Sequence, residues 1–318
     1  MHSEQPSATT QAWPHGPTTF EQRHGNGTMR VVTAIIGIPV VLGALWIGGW
    51  AFFTLITAAT VGALLEFYWM AEKKGARPNK VLGVVAVILL CFLYTQLIPV
   101  LIAIFMNRVP FWEVLPQAIP FFVFLTPVVV LLLEMFRRTE GAMLNIGATI
   151  AGITYVGVCL PALIGILWLE PLFWPVEKFS FYSIMAILIS IWTCDSFAYY
   201  GGRLFGKHKL FERVSPKKTW EGAICGVVGA VGAMLLIRAL AADWFSVTDA
   251  IILGIICGVF GQLGDLAESH LKRDAGVKDS SQLIPGHGGI LDRFDSLLFV
   301  APWIYLYLLL QAGIAWLR

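Results

Sequence analysis

The chain alternates between long apolar runs and short polar connections, and the apolar runs define the predicted elements. A helix needs about 20 residues to cross the hydrocarbon layer of a membrane, and nine runs reach or approach that length. Helices are predicted because they satisfy their own backbone polar groups, whereas the alternation typical of a membrane barrel is missing. The predicted spans are 31–47, 50–71, 81–105, 118–136, 142–168, 181–202, 220–240, 247–267 and 296–317.

Composition also points to a membrane protein. Of the 318 residues, 57% are hydrophobic and only 13% are charged, about half the charged share of a typical soluble domain. The predicted fold class is therefore an all-α polytopic membrane protein with about nine transmembrane helices. The net charge of +2 gives no reason to expect a nucleic-acid partner.

The distribution of Lys and Arg predicts the orientation. In the nine-span topology, 18 of the 22 basic residues fall in connections on one side of the membrane. Because basic connections favour the cytoplasm, the N-terminus is predicted to be cytoplasmic and the C-terminus outside. Polar residues 1–28 are predicted to form a disordered cytoplasmic tail. Residues 29–180 would form five N-terminal spans, and 181–318 a catalytic membrane domain with four spans and two cytoplasmic active-site connections.

Two pairs of acids mark the last of these connections. Asp265 and Glu268 lie three residues apart, as do Asp292 and Asp295, so each pair would share one face of a helix. Four carboxylates at a membrane boundary would repel one another, and Mg²⁺ would relieve that repulsion. We therefore predict these four as metal ligands. The alternative is that they are interface charges at span ends, which is favoured for Glu268 taken alone.

Three further acids lie within predicted spans. Ionisable groups at membrane depth are functional candidates by default. For Asp195, a functional role and a polar contact between helices are equally compatible with the sequence. For Glu66 and Glu134, packing or a structural ion pair is favoured.

A basic segment precedes the seventh span. It runs from Ser215 through Pro216, Lys217 and Lys218 to Thr219, and the proline could begin the next helix. Helix N-termini with nearby lysines suit phosphate oxygens. The alternative is a positively charged membrane anchor. A phosphate-binding loop of the G-x-x-x-x-G-K type is rejected, because His208 stands where Ser or Thr is required and no strand is predicted before it.

A glycine-rich segment gives the most specific signal in the chain. Residues 286–289 read Gly-His-Gly-Gly, and glycine lets the backbone approach a ligand closely. His287 could contact a phosphate or cap the turn. Asp292, Arg293 and Asp295 follow at once, and this mixture suits a site for metal and phosphate better than a lipid-facing loop.

At these residues the chain resembles the phosphatidate cytidylyltransferases, also called CDP-diacylglycerol synthases. Every position of the family's C-terminal motif fits over residues 269–295. The matching residues are Ser269, Leu271, Lys272, Arg273, Lys278, Asp279, Ser281, Ile284, Pro285, His287, Gly288, Gly289, Ile290, Asp292, Arg293, Phe294 and Asp295. The segment from Ser215 to Gly222 and the surroundings of Asp195 are also similar to the family, whereas the N-terminal half resembles it only in hydropathy and span count.

The resemblance implies transfer of CMP from CTP to phosphatidic acid, which gives CDP-diacylglycerol and pyrophosphate for phospholipid biosynthesis. It implies Mg²⁺ as cofactor and allows a second, monovalent cation such as K⁺. It also implies a homodimer in the bacterial inner membrane with the active site facing the cytoplasm.

Together these patterns give a hypothetical site. Asp265, Asp292 and Asp295 would bind metal with support from Glu268, and Lys272 and His287 would act on the reacting phosphates. The remaining residues predicted to bind CTP or phosphate are Ser215, Lys217, Lys218, Thr219, Arg273, Lys278, Arg293 and Asp195.

Two other functions are compatible with parts of the pattern. A CTP-dependent enzyme similar to polyprenol or phytol kinases would transfer only the terminal phosphate. An ion-coupled transporter would use the intramembrane acids, but it gives no reason for the Ser-Pro-Lys-Lys and His-Gly-Gly segments.

Overall fold

The computed structural model describes residues 19–95, 111–137, 140–173, 179–242, 244–284, 286 and 288–316, and these residues are mostly helical. The helices are α1 (Thr19–Ile47), α2 (Gly49–Lys73), α3 (Lys80–Tyr94), α4 (Phe111–Phe136), α5 (Ala142–Gly152), α6 (Ala162–Phe173), α7 (Phe179–Phe205), α8 (Trp220–Ala241), α9 (Val247–Asp274) and α10 (Leu291–Trp316). A π-helical turn, Ile153–Val158, follows α5.

Within the described residues, seven helical segments are long and apolar enough to cross a membrane. They are Gly49–Lys73, Ile119–Phe136, Ala142–Leu169, Phe179–Phe205, Trp220–Ala241, Val247–Asp274 and Leu291–Gln311. The other two predicted spans coincide with the shorter apolar helices Val31–Ile47 and Lys80–Tyr94. The helical, polytopic fold class is thus confirmed, while the count of nine spans stays a prediction. The end of the predicted span 81–105 lies outside the described residues.

The first helix begins earlier than expected. α1 starts at Thr19, within the segment predicted to be a disordered tail. Extending an existing helix costs much less than nucleating one, so the apolar run from 31 onward can carry helical structure toward the N-terminus. Residues 1–18 lie outside the described residues.

A small hairpin was not foreseen. Strands β1 (Lys209–Phe211) and β2 (Ser215–Thr219) pair antiparallel between α7 and α8. The prediction that a helix begins at Pro216 is wrong, because Thr219 is extended and its hydroxyl accepts a hydrogen bond from the N–H of Gly222 at 3.2 Å. This cap places the start of α8 at Trp220.

The last four helices pack closely in sequence order. α7 contacts α8, α8 contacts α9, and α9 contacts α10. Glycines allow close approach where α9 crosses α8, since a Cβ at Gly258 would lie 2.8 Å from the Cα of Val227. α10 also packs against α2 and α6, and one hydrophobic core includes residues from Leu45 to Leu308. The two predicted domains, 29–180 and 181–318, therefore share a core.

Candidate active site

An ion pair joins the two connections that carry the predicted chemistry. The Nζ atom of Lys218, on β2, donates to Oδ2 of Asp265, on α9, at 2.7 Å. The hydroxyl of Ser269 lies 3.2 Å from the other oxygen of Asp265. Both charged side chains remain partly exposed, so the pair is accessible to a ligand.

The other predicted cations do not point into this pair. Because alternate residues of a strand face opposite sides, Lys217 is directed away from Lys218 and is exposed. Lys278 and Arg293 are also exposed. Arg273 is exposed and donates to the carbonyl of Val277 at 3.1 Å, which closes the turn after α9. These residues stay predicted phosphate ligands, at the rim of the site.

A buried lysine lies between two acids. The Nζ atom of Lys272 is 2.5 Å from Oε2 of Glu268 and 2.6 Å from Oδ1 of Asp292. The exposed fractions of these side chains are 12% for the lysine, 0% for Glu268 and 5% for Asp292. A buried carboxylate is costly unless it is paired, and one cation here serves two carboxylates.

The second oxygen of Asp292 is also occupied. Oδ2 accepts from the N–H of Ser280 at 2.9 Å and from the N–H of Gly289 at 2.8 Å, and the Ser280 hydroxyl oxygen lies 2.9 Å from it. Asp292 therefore holds the glycine-rich loop against the start of α10. Both of its carboxylate oxygens have protein donors.

Three acids from three helices face a common region. A Cβ at Gly264 would lie 2.5 Å from the carbonyl oxygen of Asp295, so the missing side chain lets α9 and α10 meet at this point. This contact places Asp265 near Asp295, whose Oδ1 accepts from the N–H of Ser296 at 2.6 Å. Asp195, on α7, lies close enough to interact electrostatically with both.

The donor set fits Mg²⁺ only in part. Among the residues that the structure describes, no group of three or more His, Cys, Asp or Glu side chains is placed to hold a metal. Lys272 already pairs with the buried Glu268 and Asp292, and backbone donors also bind Asp292, whereas the Asp265 carboxylate, which binds Lys218 and Ser269, is partly exposed. Glu268 and Asp292 stay predicted metal ligands. Asp265 and Asp295 remain suitable, because Mg²⁺ is usually held by one or two carboxylates together with substrate phosphates.

Several predicted site residues have structural contacts or lie elsewhere. The Thr219 hydroxyl caps α8, and Ser215 begins β2 opposite Phe211. His287, predicted to contact a reacting oxygen, lies outside the described residues. The Lys218 and Asp265 pair is thus the contact that brings the two predicted segments together.

Sequence reasoning missed the role of Glu221 in the hairpin. Its carboxylate accepts from the N–H of Lys207 at 3.0 Å and lies 2.6 Å from Nδ1 of His208. These contacts tie the start of the hairpin to the first turn of α8. An acid two residues after a capping threonine is typical of a helix start, and that signal was available.

The two other intramembrane acids differ from each other. Glu134 forms an ion pair with Arg137 at 2.6 Å and accepts from Asn145 at 2.8 Å, which confirms the structural interpretation. Glu66 instead accepts from the backbone N–H groups of Ile290 and Leu291 at the start of α10, at 2.9 and 2.8 Å. The signal that could have found this contact is an acid inside an apolar run.

Comparison with known proteins gives consistent matches. The model of the cytidylyltransferase family matches residues 28–311. A phosphatidate cytidylyltransferase of Synechocystis is 33% identical over 89% of this chain and 97% of its own length. A phosphatidate cytidylyltransferase of Bacillus subtilis is 33% identical over 88% of this chain and 97% of its own length. One of Haemophilus influenzae is 48% identical over 39% of this chain and 45% of its own.

Proposed function

The chain belongs to the cytidylyltransferase family and acts as a phosphatidate cytidylyltransferase, and we propose that the region around Lys218, Asp265 and Asp295 is its reaction centre. The observation that carries this placement is the 2.7 Å ion pair between Lys218 and Asp265. It brings the basic segment after α7 into contact with the acidic end of α9. These are the two connections whose motifs resemble the family.

The reaction is a nucleotidyl transfer. An oxygen of the phosphatidate phosphate attacks the α-phosphorus of CTP, a new P–O bond forms, and the bond to the β-phosphate breaks. Pyrophosphate leaves with the electron pair of that bond, and CDP-diacylglycerol remains. The attacking phosphate is already an anion, so no strong general base is required.

Repulsion between two anionic substrates is the main obstacle. Lys218 would lower it by moving from Asp265 to a substrate phosphate, since the pair is partly exposed. The exposed Lys217, Arg273, Lys278 and Arg293 would attract the triphosphate or the lipid phosphate at the rim. Fixed cations also hold the reacting atoms in line, which removes part of the entropic cost of bringing the two substrates together in the reactive orientation.

Asp265 and Asp295 would hold Mg²⁺ together with the triphosphate. When bound there, the ion supplies positive charge that offsets the charge of the phosphates. A buried ion-pair network would support the site from below, because the charges of Glu268, Asp292 and Lys272 already pair with one another. The second, monovalent cation stays a prediction.

The proposal includes the predicted setting. The protein would lie in the inner membrane with nine spans, an N-terminus and active site on the cytoplasmic side, and a homodimeric assembly. The excess of basic residues in the predicted cytoplasmic connections supports this orientation. CTP, a soluble nucleotide, would then reach the site from the cytoplasm.

Two labels in CTP test the reaction. Purified protein in detergent with phosphatidic acid and Mg²⁺ should place an α-phosphate label in the lipid product and release a γ-phosphate label as pyrophosphate. Chelation of Mg²⁺ should stop the formation of both labelled products. A γ-label in the lipid would instead support the kinase-like alternative, and activity unaffected by chelation would contradict the metal proposal.

A further inference from the structure

Glu66 is a buried acid whose position is unusual for a membrane helix. It lies on α2 with 1% of its surface exposed. Of the residues that the structure describes, none places a Lys or Arg nitrogen within ion-pairing distance of it. A carboxylate in such surroundings is costly unless other donors satisfy it.

Four donors from the C-terminal half satisfy this carboxylate. Oε1 accepts from the Ser281 hydroxyl at 2.6 Å and from the N–H of Ile290 at 2.9 Å. Oε2 accepts from the Ser280 hydroxyl at 2.8 Å and from the N–H of Leu291 at 2.8 Å. The free N–H groups and the positive end of the dipole of α10 are therefore met by an acid from another helix.

The shapes of the two segments match this contact. A Cβ at Gly289 would lie 2.5 Å from Oε2 of Glu66, so a larger residue would push the carboxylate away. Gly62, one helical turn before Glu66, leaves room for the side chain of Ile290. The side of α2 that faces residues 289–291 thus carries a glycine at 62 and an acid at 66.

One hydroxyl links Glu66 to the candidate active site. The Ser280 hydroxyl lies 2.8 Å from Glu66 and 2.9 Å from Asp292, whose other oxygen binds Lys272. Glu66 on α2 and Asp292 on α10 consequently hold Ser280, before the glycine-rich segment, and residues 289–291, at its end. A shift of the loop would move both the carboxylate of Asp292 and the amine that it binds.

We propose that Glu66 is a positioning residue for the cytidylyl transfer: it fixes the turn at Ser280 and Ser281 and the start of α10, and thereby the loop that borders the reacting phosphates. This inference rests on the proposed placement of the active site. It gives the N-terminal half a role in catalysis without contact with substrate. A purely packing role would be filled at lower cost by an apolar side chain.

Glu66→Gln in the full-length enzyme tests the inference. Glutamine keeps the size and one acceptor oxygen but turns the other oxygen into a donor, which would face the donors of Ser280 and Leu291. We expect kcat to fall about 10- to 100-fold, as for residues that orient a functional group. The KM for CTP should change little, because alignment of the reacting atoms is lost rather than substrate binding.

Hydrogen exchange gives a readout that does not need substrate. The amides of Ile290 and Leu291 are bonded to Glu66, so peptides covering 280–291 should exchange faster in the variant while the other helices stay unchanged. Glu134→Gln is the matched control, because Glu134 is also a buried acid of a membrane helix, and it pairs with Arg137 and accepts from Asn145 on α5 rather than from the start of α10. It should leave kcat and the exchange of 280–291 unchanged.

The outcomes separate the possibilities. A kcat for Glu66→Gln near that of the wild type, or an exchange increase spread evenly over all helices, would overturn the positioning role. If Glu66→Gln does not fold, Ser281→Ala removes one donor and keeps the acid. It should lower kcat about 2- to 10-fold and should speed hydrogen exchange only in residues 280–291. A Ser281→Ala enzyme with unchanged kcat and unchanged exchange would equally overturn the inference. A wild-type protein without cytidylyl transfer would contradict the proposed function itself, whereas the exchange result would still report on the contacts of Glu66.

Discussion

Lys272 shows how strongly single side chains are tied into the site. It is the cation both for Glu268 on its own helix and for Asp292 on α10. Removal of a partner from a buried ion pair leaves an uncompensated charge, which is more costly than the absence of the whole pair. The residue is therefore expected to contribute to stability.

Lys272→Met should reduce the free energy of unfolding by about 3–5 kcal/mol, because two buried carboxylates lose their cation. Unfolding in mixed micelles, followed by titration with a denaturing detergent, measures the change. Lys74→Met is the control, since Lys74 pairs with Asp274 while both are about half exposed, and exposed pairs contribute about 1 kcal/mol or less. Equal losses in the two variants would argue against the buried network.

The two adjacent lysines of β2 should differ in their effect on activity. Lys218 contacts Asp265, whereas Lys217 is exposed on the other face of the strand. Lys218→Ala should lower kcat/KM for CTP about 10- to 100-fold, the loss expected for a charge-assisted hydrogen bond in the reaction. Lys217→Ala should have the smaller effect, and steady-state kinetics with varied CTP would show the reverse order if the placement is wrong.

For individual residues, the sequence predicted which residue types matter better than how they pair. The spacing of Asp265, Asp292 and Asp295 indicated an acidic site, and α9 and α10 do place Asp265 and Asp295 as neighbours. The spacing could not show that Lys272 occupies Asp292, because that contact depends on how α9 and α10 cross. Glu66 and Ser280 are 214 positions apart, so no local pattern links them.

Helix crossings determine how the acids meet at the scale of elements. Gly264 allows the backbone of α9 to approach the carbonyl of Asp295 on α10. The apolar runs predicted these helices well, since each predicted span overlaps a helical segment of the described residues. The hairpin was missed because its strands are three and five residues long and mostly polar, too short for any periodicity to appear.

Gly264→Ala should separate α9 from α10 near the acids. A Cβ there would lie 2.5 Å from a backbone oxygen, which cannot rotate away. Displacement of catalytic groups by about 1 Å costs on the order of 100-fold in rate, so we expect a loss of that size in kcat. Gly232→Ala on α8 is the control, because no atom lies within 4 Å of its added Cβ, and an equal loss there would show that the contact with Asp295 is not responsible.

The whole molecule combines two halves around one core. Residues of α2 and α10 belong to the same hydrophobic cluster, and Glu66 extends that contact into the site. Composition alone predicted a membrane protein, since a chain with 13% charged residues cannot cover water-soluble domains of this size. It could not predict that the halves share one core, because span hydropathy carries no information on which helices pack together.

The predicted topology places the two ends of the chain on opposite sides of the membrane. A reporter enzyme that folds only outside the cytoplasm should be active when it is fused to the C-terminus and inactive when it is fused to the N-terminus. Fusions within the hairpin, after Glu212, should be inactive as well. Activity at both ends would mean an even number of spans and would contradict the nine-span arrangement.

Comparison of Asp265→Asn with Asp249→Asn tests whether the pair of Asp265 and Lys218 forms the reaction centre. Both acids lie on α9, sixteen residues or roughly 24 Å apart along the helix, and Asp249 binds Tyr307 and Gln311 at the far end. Transfer of α-labelled CMP to phosphatidic acid should fall about 100-fold or more in Asp265→Asn and stay near the wild-type rate in Asp249→Asn. A fully active Asp265→Asn enzyme would contradict a reaction centre built on the pair of Asp265 and Lys218.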